Sequence, residues 1–356
     1  MFPKEYLNHL AATQPASFPM ISLYLYTGPD EHGRTTFDKF VRKELPARAK
    51  AYPLRSRERE SFEADCERIH RYLQNDLQSS TNGLAIFACA ANSFFEAVQL
   101  EVPVEQQLFV SNEPHLYPLA RVYDQYRRHA AVLIDTHSAR LFAFELGEVL
   151  DQKGVFGPKV SRVSVGGWSQ ARYQRHIRNF HLHHAKEVVE ALDKMVKEDE
   201  IEQIVLAGDE VIVPVFLDQL PVHLSEKVIA VIRLDIATPE DQVRSATLEV
   251  LRQEDTKRDI EKVEHLFNEY RSGGLGVVGA SDTLGALDNG QVGELILSAS
   301  RGEIRSDLKA SSENQIELPD LLVNRAHQTS ASVAFIEDPS LLAKVGGVGA
   351  LLRYRV

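Results

Sequence analysis

The sequence predicts an α/β protein built as three α/β domains in series. Three observations carry this. The chain has 356 residues, more than one core of ordinary size requires. Strand-like and helix-like stretches alternate along nearly its whole length. The strand candidates are short apolar runs closed by Gly, Pro or Asp, as buried strands are. The expected divisions are 1–124, 125–252 and 253–356.

In the first segment, Met20-Ile21-Ser22-Leu23-Tyr24-Leu25-Tyr26 is rich in strand formers and stops at Thr27-Gly28-Pro29-Asp30. Two helices are expected over Phe37 to Ala51 and Glu58 to Leu77, the second with an apolar stripe at Phe62, Cys66, Ile69 and Leu73. Gly83 to Cys89 reads as a buried strand, and Phe94 to Leu100 as its hairpin partner. Together these make a small α/β sandwich.

In the middle segment, Ala130 to Asp135 reads as a buried strand and Ala139 to Glu145 as its alternating partner. A long helix carries Tyr173, Ile177, Phe180, His184 and Val188 at helical spacing. Strands follow at Ile204 to Gly208 and Val228 to Ile232. A helix then enters at Thr238-Pro239 and runs to about Leu251. This order is that of a ribonuclease-H-like domain.

The last segment opens with a helix over Glu254 to Tyr270 and the turn Arg271-Ser272-Gly273-Gly274. Strands at Leu275 to Val278, Glu294 to Ser298, Ser332 to Ile336 and Ala350 to Val356 alternate with helices near 281–287 and 321–328. The alternation argues a three-layer α/β/α domain.

Composition narrows the function classes. With 44% hydrophobic and 26% charged residues the chain is an ordinary globular protein. Its two cysteines, Cys66 and Cys89, have no metal-ligand spacing, which fits free thiols in a reducing cytoplasm. The start, Met1-Phe2-Pro3-Lys4-Glu5, lacks the basic and apolar regions of a secretory signal. No apolar run nears the ~20 residues of a membrane span. A net charge of -11 argues against coating nucleic acid generally, though not against docking through one basic arm.

Such an arm is present. From Gln152 to Lys186 there are seven Lys or Arg, four His and no Asp or Glu. Gly166 and Gly167 give the loop before the long helix freedom to approach another surface. Trp168 and Ser169 follow, then Gln170, and Arg172, Arg175 and Arg178 lie three apart along the helix. Arginines in that register suit a phosphate backbone. The basic turn Arg55-Ser56-Arg57 is a second candidate RNA contact, or a solvated turn.

Two other chemistries deserve weighing. Metal nucleases on ribonuclease-H-like sheets need carboxylates converging on metal ions. Asp135, Glu145, Asp209, Glu210 and Asp235 sit on or near strand ends, but strand-end acids are common in any α/β protein. His181 and His184 share a helix face, as zinc ligands do, alongside His176 and His183. No Cys or carboxylate lies near them in sequence, and the arginines point to RNA. No metal and no cofactor are expected.

Gly-Gly-x-Ser-x-x-Arg-aromatic-x-Arg, at Gly166 to Arg175, resembles the loop and helix of the archaeo-eukaryotic peptide-chain release factors, a family that includes Pelota and divergent bacterial members. Further matches run in family order: Met20-Ile21-Ser22-Leu23, Asn82-Gly83-Leu84, Ile134-Asp135 before Leu141-Phe142, and Leu206-Ala207-Gly208. The last domain adds Asp282 to Val292 and the closing Gly346 to Val356. Two departures decide the chemistry. Release factors carry Gln after the two glycines, where this chain has Trp168, with Gln170 two residues later. Their stop-codon reader, Asn-Ile-Lys-Ser, is replaced by Pro53-Leu54-Arg55-Ser56-Arg57, and the partner Tyr-Cys motif is missing.

The resemblance implies a cytoplasmic, ribosome-binding translation factor contacting rRNA and P-site tRNA. Its third domain would dock an elongation-factor-like translational GTPase. Without a codon reader, and with an indole that donates one hydrogen bond and accepts none in place of the carboxamide, the first expectation is a non-hydrolytic factor. It would occupy the A site of idle or stalled bacterial ribosomes, in hibernation, protection or recycling, with its loop at the peptidyl transferase centre. The alternative is a codon-independent peptidyl-tRNA hydrolase acting through Gln170. The remote alternative is an RNA-binding nuclease.

Overall fold

The computed structural model describes residues 3–13, 17–29, 33–145, 148–156, 170–305 and 316–355. Contacts divide the chain into two units. Met1–Gln125 and Arg258–Val356 form one, and Tyr126–Lys257 forms the other.

The N-terminal part of the first unit comprises α1 (Pro3–Ala11), β1 (Met20–Tyr26), α2 (Phe37–Ala49), α3 (Arg57–Asn75), β2 (Gly83–Cys89), β3 (Phe94–Leu100), β4 (Gln107–Ser111) and α4 (Tyr117–Gln125). Its sheet is antiparallel in the order β3-β2-β1-β4. β1 is buried on both faces from Met20 to Leu25, and the polar Ser22 side chain there accepts from the His115 N–H at 3.0 Å. Ile21, Leu23 and Leu25 share a core with Val41 and Leu45 of α2 and Phe62 and Ile69 of α3. On its other face the Tyr24 ring meets Phe87 edge-on at 5.9 Å and Phe109 at 6.4 Å.

The second unit holds β5 (His129–Ile134), β6 (Ser138–Glu145), β7 (Glu148–Phe156), α5 (Gln170–Glu198), β8 (Gln203–Gly208), α6 (Ile212–Leu217), α7 (Val222–Ser225), β9 (Val228–Ile232) and the start of α8 (Glu240–Arg271). The sheet order is β7-β6-β5-β8-β9. The three strands of the meander pair antiparallel, and β5, β8 and β9 run parallel, which is the expected ribonuclease-H-like arrangement. Ala185, Val188, Leu192, Met195 and Val196 of α5 pack into one core with Val132 and Ile134 of β5 and Leu206 of β8.

Two neighbouring helices, to Leu251 and from Glu254, were the expectation for the end of this segment; α8 is instead one helix of 32 residues. The reason is local. No Gly or Pro interrupts 240–271, and side chains one turn apart support each other, as Glu254 with Lys257 at 2.6 Å and Glu249 with Gln253 at 3.0 Å. The division between units falls within this helix.

The rest of the first unit comprises β10 (Gly276–Val278), α9 (Ala280–Asp288), β11 (Val292–Ser298), α10 (Leu318–Gln328), β12 (Ser332–Ile336) and β13 (Val348–Leu352). The order is β10-β13-β11-β12, with only the β11–β12 pair parallel. Val263 and Leu266 of α8 share a core with Ile296, Ile336 and Leu342. The closing strand ends at Leu352, short of the expected Val356, and Arg353, Tyr354 and Arg355 lie exposed beyond it. Among the described residues no helix is long and apolar enough to cross a membrane.

Candidate functional site

α5 divides by chemistry along its length. Up to Lys186 it carries four Lys or Arg and no carboxylate; acids begin at Glu187. The buried stripe that anchors it starts at His184 and Ala185 and continues through Val188, Leu192 and Met195. Before that, Ile177 and Phe180 are half-buried, while Arg175, Arg178, Asn179 and His183 are exposed, as is Lys186 just beyond it. The first turn holds no acidic residue. Most helices place Asp or Glu there to offset the partial positive charge of the unpaired N–H groups; this one adds arginine, so the two positive contributions reinforce each other. The arrangement favours an anion of extended shape over a small substrate.

Gln170 is the first residue of the helix rather than part of the loop before it. Gly166, Gly167, Trp168 and Ser169 lie outside the described residues, as do the side chains of Gln170 and Arg172. Arg175 and Arg178 are thus the two predicted contacts of this element whose exposure is described.

The other face of α5 meets the carboxyl ends of the parallel strands. Phe180 contacts the His137 ring at 5.9 Å and that of His181 at 6.2 Å. Burial holds the His181 imidazole below the ordinary histidine range; Asp209 opposes this, and His137 and His184 add to it. His184 is buried with neither ring nitrogen hydrogen-bonded.

The nominated acids are engaged in folding roles. Ile134 lies opposite Gly208, so Asp135 and Asp209 leave neighbouring strand ends. Asp135 Oδ1 accepts from the N–H groups of His137 at 2.7 Å and Ser138 at 2.6 Å, closing the β5–β6 turn. Asp209 Oδ1 accepts from Val211 and Ile212, both at 2.9 Å, at the entry to α6. Asp235 accepts from Ala237 at 2.8 Å, Glu145 pairs with Arg128 at 2.5 Å, and Glu210 with Arg233 at 2.5 Å. These carboxylates serve as turn caps and ion-pair partners, and among the described residues no three His, Cys, Asp or Glu gather to hold a metal ion. Among the described residues this part of the unit offers exposed cations and no nucleophile with an adjacent base.

In the first unit, the turn between α2 and α3 keeps Leu54 78% exposed, with Arg55 and Arg57 exposed beside it. Arg55 adopts φ 63°, a left-handed conformation that is uncommon outside Gly, Asn and Asp. Ser56 caps α3, its Oγ accepting from Arg59 N at 3.2 Å. The turn is a capped, basic tip without an amide side chain.

Sequence reasoning missed a buried polar cluster linking the two ends of the first unit. Asp320 of α10 accepts from Arg301, from the Tyr117 N–H at 2.9 Å and from His115 Nδ1 at 3.0 Å. The Arg301 guanidinium lies over the Phe109 ring at 4.6 Å, and His115 stacks on the same ring at 4.5 Å. No local pattern announces such a cluster, because its members are scattered over the sequence and each looks like an ordinary surface residue.

Comparisons with known proteins bear on the same stretch. Residues 114–252 match the family described as bacterial archaeo-eukaryotic release factor family 10. No curated protein matches the chain. Among solved structures, it is similar to archaeal translation termination factor aRF1 at 16% identity, over 99% of this chain and 98% of that one, with a TM-score of 0.26. It is similar to Saccharomyces cerevisiae Dom34, described as a translation termination-like factor interacting with Hbs1, at 10% identity over 77% and 81% of the chains, TM-score 0.44. A ribosome-bound archaeal Pelota, with ABCE1, matches at 15% identity over 99% and 94%, TM-score 0.44.

Proposed function

We propose that this chain, a divergent bacterial member of the archaeo-eukaryotic release factor and Pelota family, is a non-decoding factor that occupies the A site of idle or stalled bacterial ribosomes. The observation that carries the reading is the acid-free, arginine-bearing first half of α5 inside the segment that matches the family. An exposed face carrying Arg175, Arg178 and Lys186 on a protein of net charge -11 suits rRNA, with affinity that falls steeply as salt rises.

Arg172 would join this face, and Gly166, Gly167, Trp168 and Ser169 would form a loop reaching the peptidyl transferase centre beside P-site tRNA. The Trp168 ring would stack on a base, worth about 1–3 kcal/mol in nucleic-acid complexes. At the other tip, Arg55 and Arg57 would touch rRNA without reading a codon. The 253–356 segment would dock an elongation-factor-like translational GTPase.

The experiment is co-sedimentation with 70S ribosomes, empty and loaded with peptidyl-tRNA, while labelled peptide release is followed. Binding without release, weakened in Arg175→Glu and Arg178→Glu, is the expected result. Release that disappears in Gln170→Ala would establish instead a codon-independent peptidyl-tRNA hydrolase. The helical start at Gln170 bears on that alternative, since hydrolysis would then rest on a residue tied to the helix. Failure to bind either ribosome sinks both.

A further inference from the structure

We propose that the exposed end of the C-terminal sheet is a second RNA-contact surface, formed by Tyr270, Arg271, Leu275, Arg353, Tyr354 and Arg355. It is independent of α5 and of the ribosomal reading, because it rests on different residues and on RNA chemistry alone.

The residues are brought together by three links. α8 ends at Arg271, and Gly273 N–H donates back to the Tyr270 carbonyl at 3.2 Å. The chain then enters β10, where Leu352 N–H donates to the Leu275 carbonyl at 2.8 Å, so β13 ends beside the turn. Past that end, Arg355 Nη1 donates to the Gly274 carbonyl at 3.1 Å and also to that of Gly273. Arg353 turns the other way, donating to the carbonyls of Ser330 at 2.6 Å and Thr329 at 3.4 Å. Two guanidiniums are therefore held in place on either side of Tyr354, each with further N–H groups to offer.

A purely structural role explains part of this. Arg353 and Arg355 tie down turns, and Arg271 offsets the negative end of α8. It does not explain the aromatics. Tyr270 and Tyr354 are each 49% exposed and Leu275 is 38% exposed. Among the described residues neither tyrosine ring meets another ring or a cation, and neither hydroxyl is hydrogen-bonded. The nearby Glu269 carboxylate is turned to Leu275 N–H at 2.7 Å. Arginines that meet phosphates beside open rings on which bases stack are the recurring elements of single-stranded RNA sites. An acidic protein partner would meet the charges but leave the rings without a specific role.

The test uses the full chain and a short fluorescein-labelled single-stranded RNA, followed by anisotropy at several salt concentrations. The patch variant combines Tyr270→Ala, Arg271→Gln and Tyr354→Ala, whose side chains, among the described residues, hold no backbone group; the α5 variant combines Arg175→Gln and Arg178→Gln. The patch variant is expected to bind about tenfold more weakly, with the salt slope reduced by about one. The α5 variant keeps the remaining, patch-dependent binding. Unchanged affinity and slope in the patch variant overturns the proposal, as does loss of all RNA binding in the α5 variant. So does equal displacement of the RNA by polyglutamate at matched charge, which would assign the surface to an acidic protein. Ultraviolet crosslinking of the parent protein guards against a misfolded variant: adducts at Tyr270 or Tyr354 are expected, and adducts confined to 170–186 overturn the proposal. Loss of ribosome binding in the α5 variant alone affects only the ribosomal reading.

Discussion

The backbone N–H of Tyr117 donates to the Asp320 carboxylate at 2.9 Å, joining residues 203 positions apart. Asp320 is fully buried, and its other oxygen takes Arg301 and His115. Around it, the Tyr24 hydroxyl donates to the His115 carbonyl at 2.6 Å and the Tyr117 hydroxyl to that of Ser298 at 2.6 Å. Asn324 adds a bond to the Pro114 carbonyl at 2.9 Å. The cluster makes one folding unit out of segments that the sequence lists as first and last.

Removing one partner of a buried ion pair leaves the other charged and unpaired. Asp320→Ala is expected to cost the first unit roughly 3–5 kcal/mol, with Asp320→Asn costing less because it keeps the bond from Tyr117. Chemical denaturation checks this; a loss under about 1 kcal/mol for Asp320→Ala would mean the cluster contributes little to holding the segments together.

His129 lies stacked on Phe144 at 4.9 Å, its Nδ1 donating to the Arg127 carbonyl at 3.2 Å. Burial pushes its pKa down from 6.5 to about 4. Between those values the unfolded chain takes up the proton and the folded one does not, so stability is complete above pH 6.5 and falls as the pH drops towards 4. The loss is at most roughly 3 kcal/mol. Hydrogen exchange at β5 across that range should show it, and His129→Phe should flatten it; an identical slope in the variant refutes the assignment.

Asp65 behaves in the opposite sense. Its carboxyl is fully buried, with Oδ2 accepting from Ala90 N at 2.8 Å and Oδ1 left without a partner. Burial raises its pKa from 3.8 to about 6, against the pull of Ala90 N–H and Arg68. The folded state holds the proton more tightly, so this contribution favours folding at low pH and is lost as pH rises to about 6. At neutral pH the ionised group costs up to roughly 3 kcal/mol. Asp65→Asn is expected to raise the thermal midpoint of the first unit at pH above 7; a lowered midpoint there contradicts the argument.

Asp135 closes a turn, and its replacement should read as a stability change. Asp135→Ala removes acceptors from two backbone N–H groups and should cost about 1–2 kcal/mol, most of it restored by Asp135→Asn. Magnesium-dependent RNA cleavage by the parent protein that vanishes in the asparagine variant would instead revive the nuclease reading.

Much of the chain could be read locally. β1 and β2 are short runs rich in buried apolar residues and closed by turn formers, and α3 shows its apolar stripe, so neighbours in sequence carry the information. β4, β7 and α4 escaped for a physical reason. Gln107–Ser111 is short, Glu148–Phe156 mixes charges and a glycine with its apolar residues, and Pro118 opens Tyr117–Gln125; each element is stabilised by the sheet or helix it joins more than by its own propensity. The break expected in α8 fell at the expected division between 252 and 253, where no Gly or Pro stops the helix.

The sequence by itself settled the α/β class, four strands and the long helix of the middle segment, the basic first half of α5 and the two departures from the release-factor motifs, because these depend on residue type and spacing. Tertiary structure was needed to put Asp135 and Asp209 to work as caps. It also gathered His115, Tyr117, Arg301 and Asp320 into one buried cluster and drew Arg353 and Arg355 to opposite sides of Tyr354. These contacts join residues from separate elements, or set a side chain's role by the geometry around it, and neither composition nor periodicity records which partner a polar group will find.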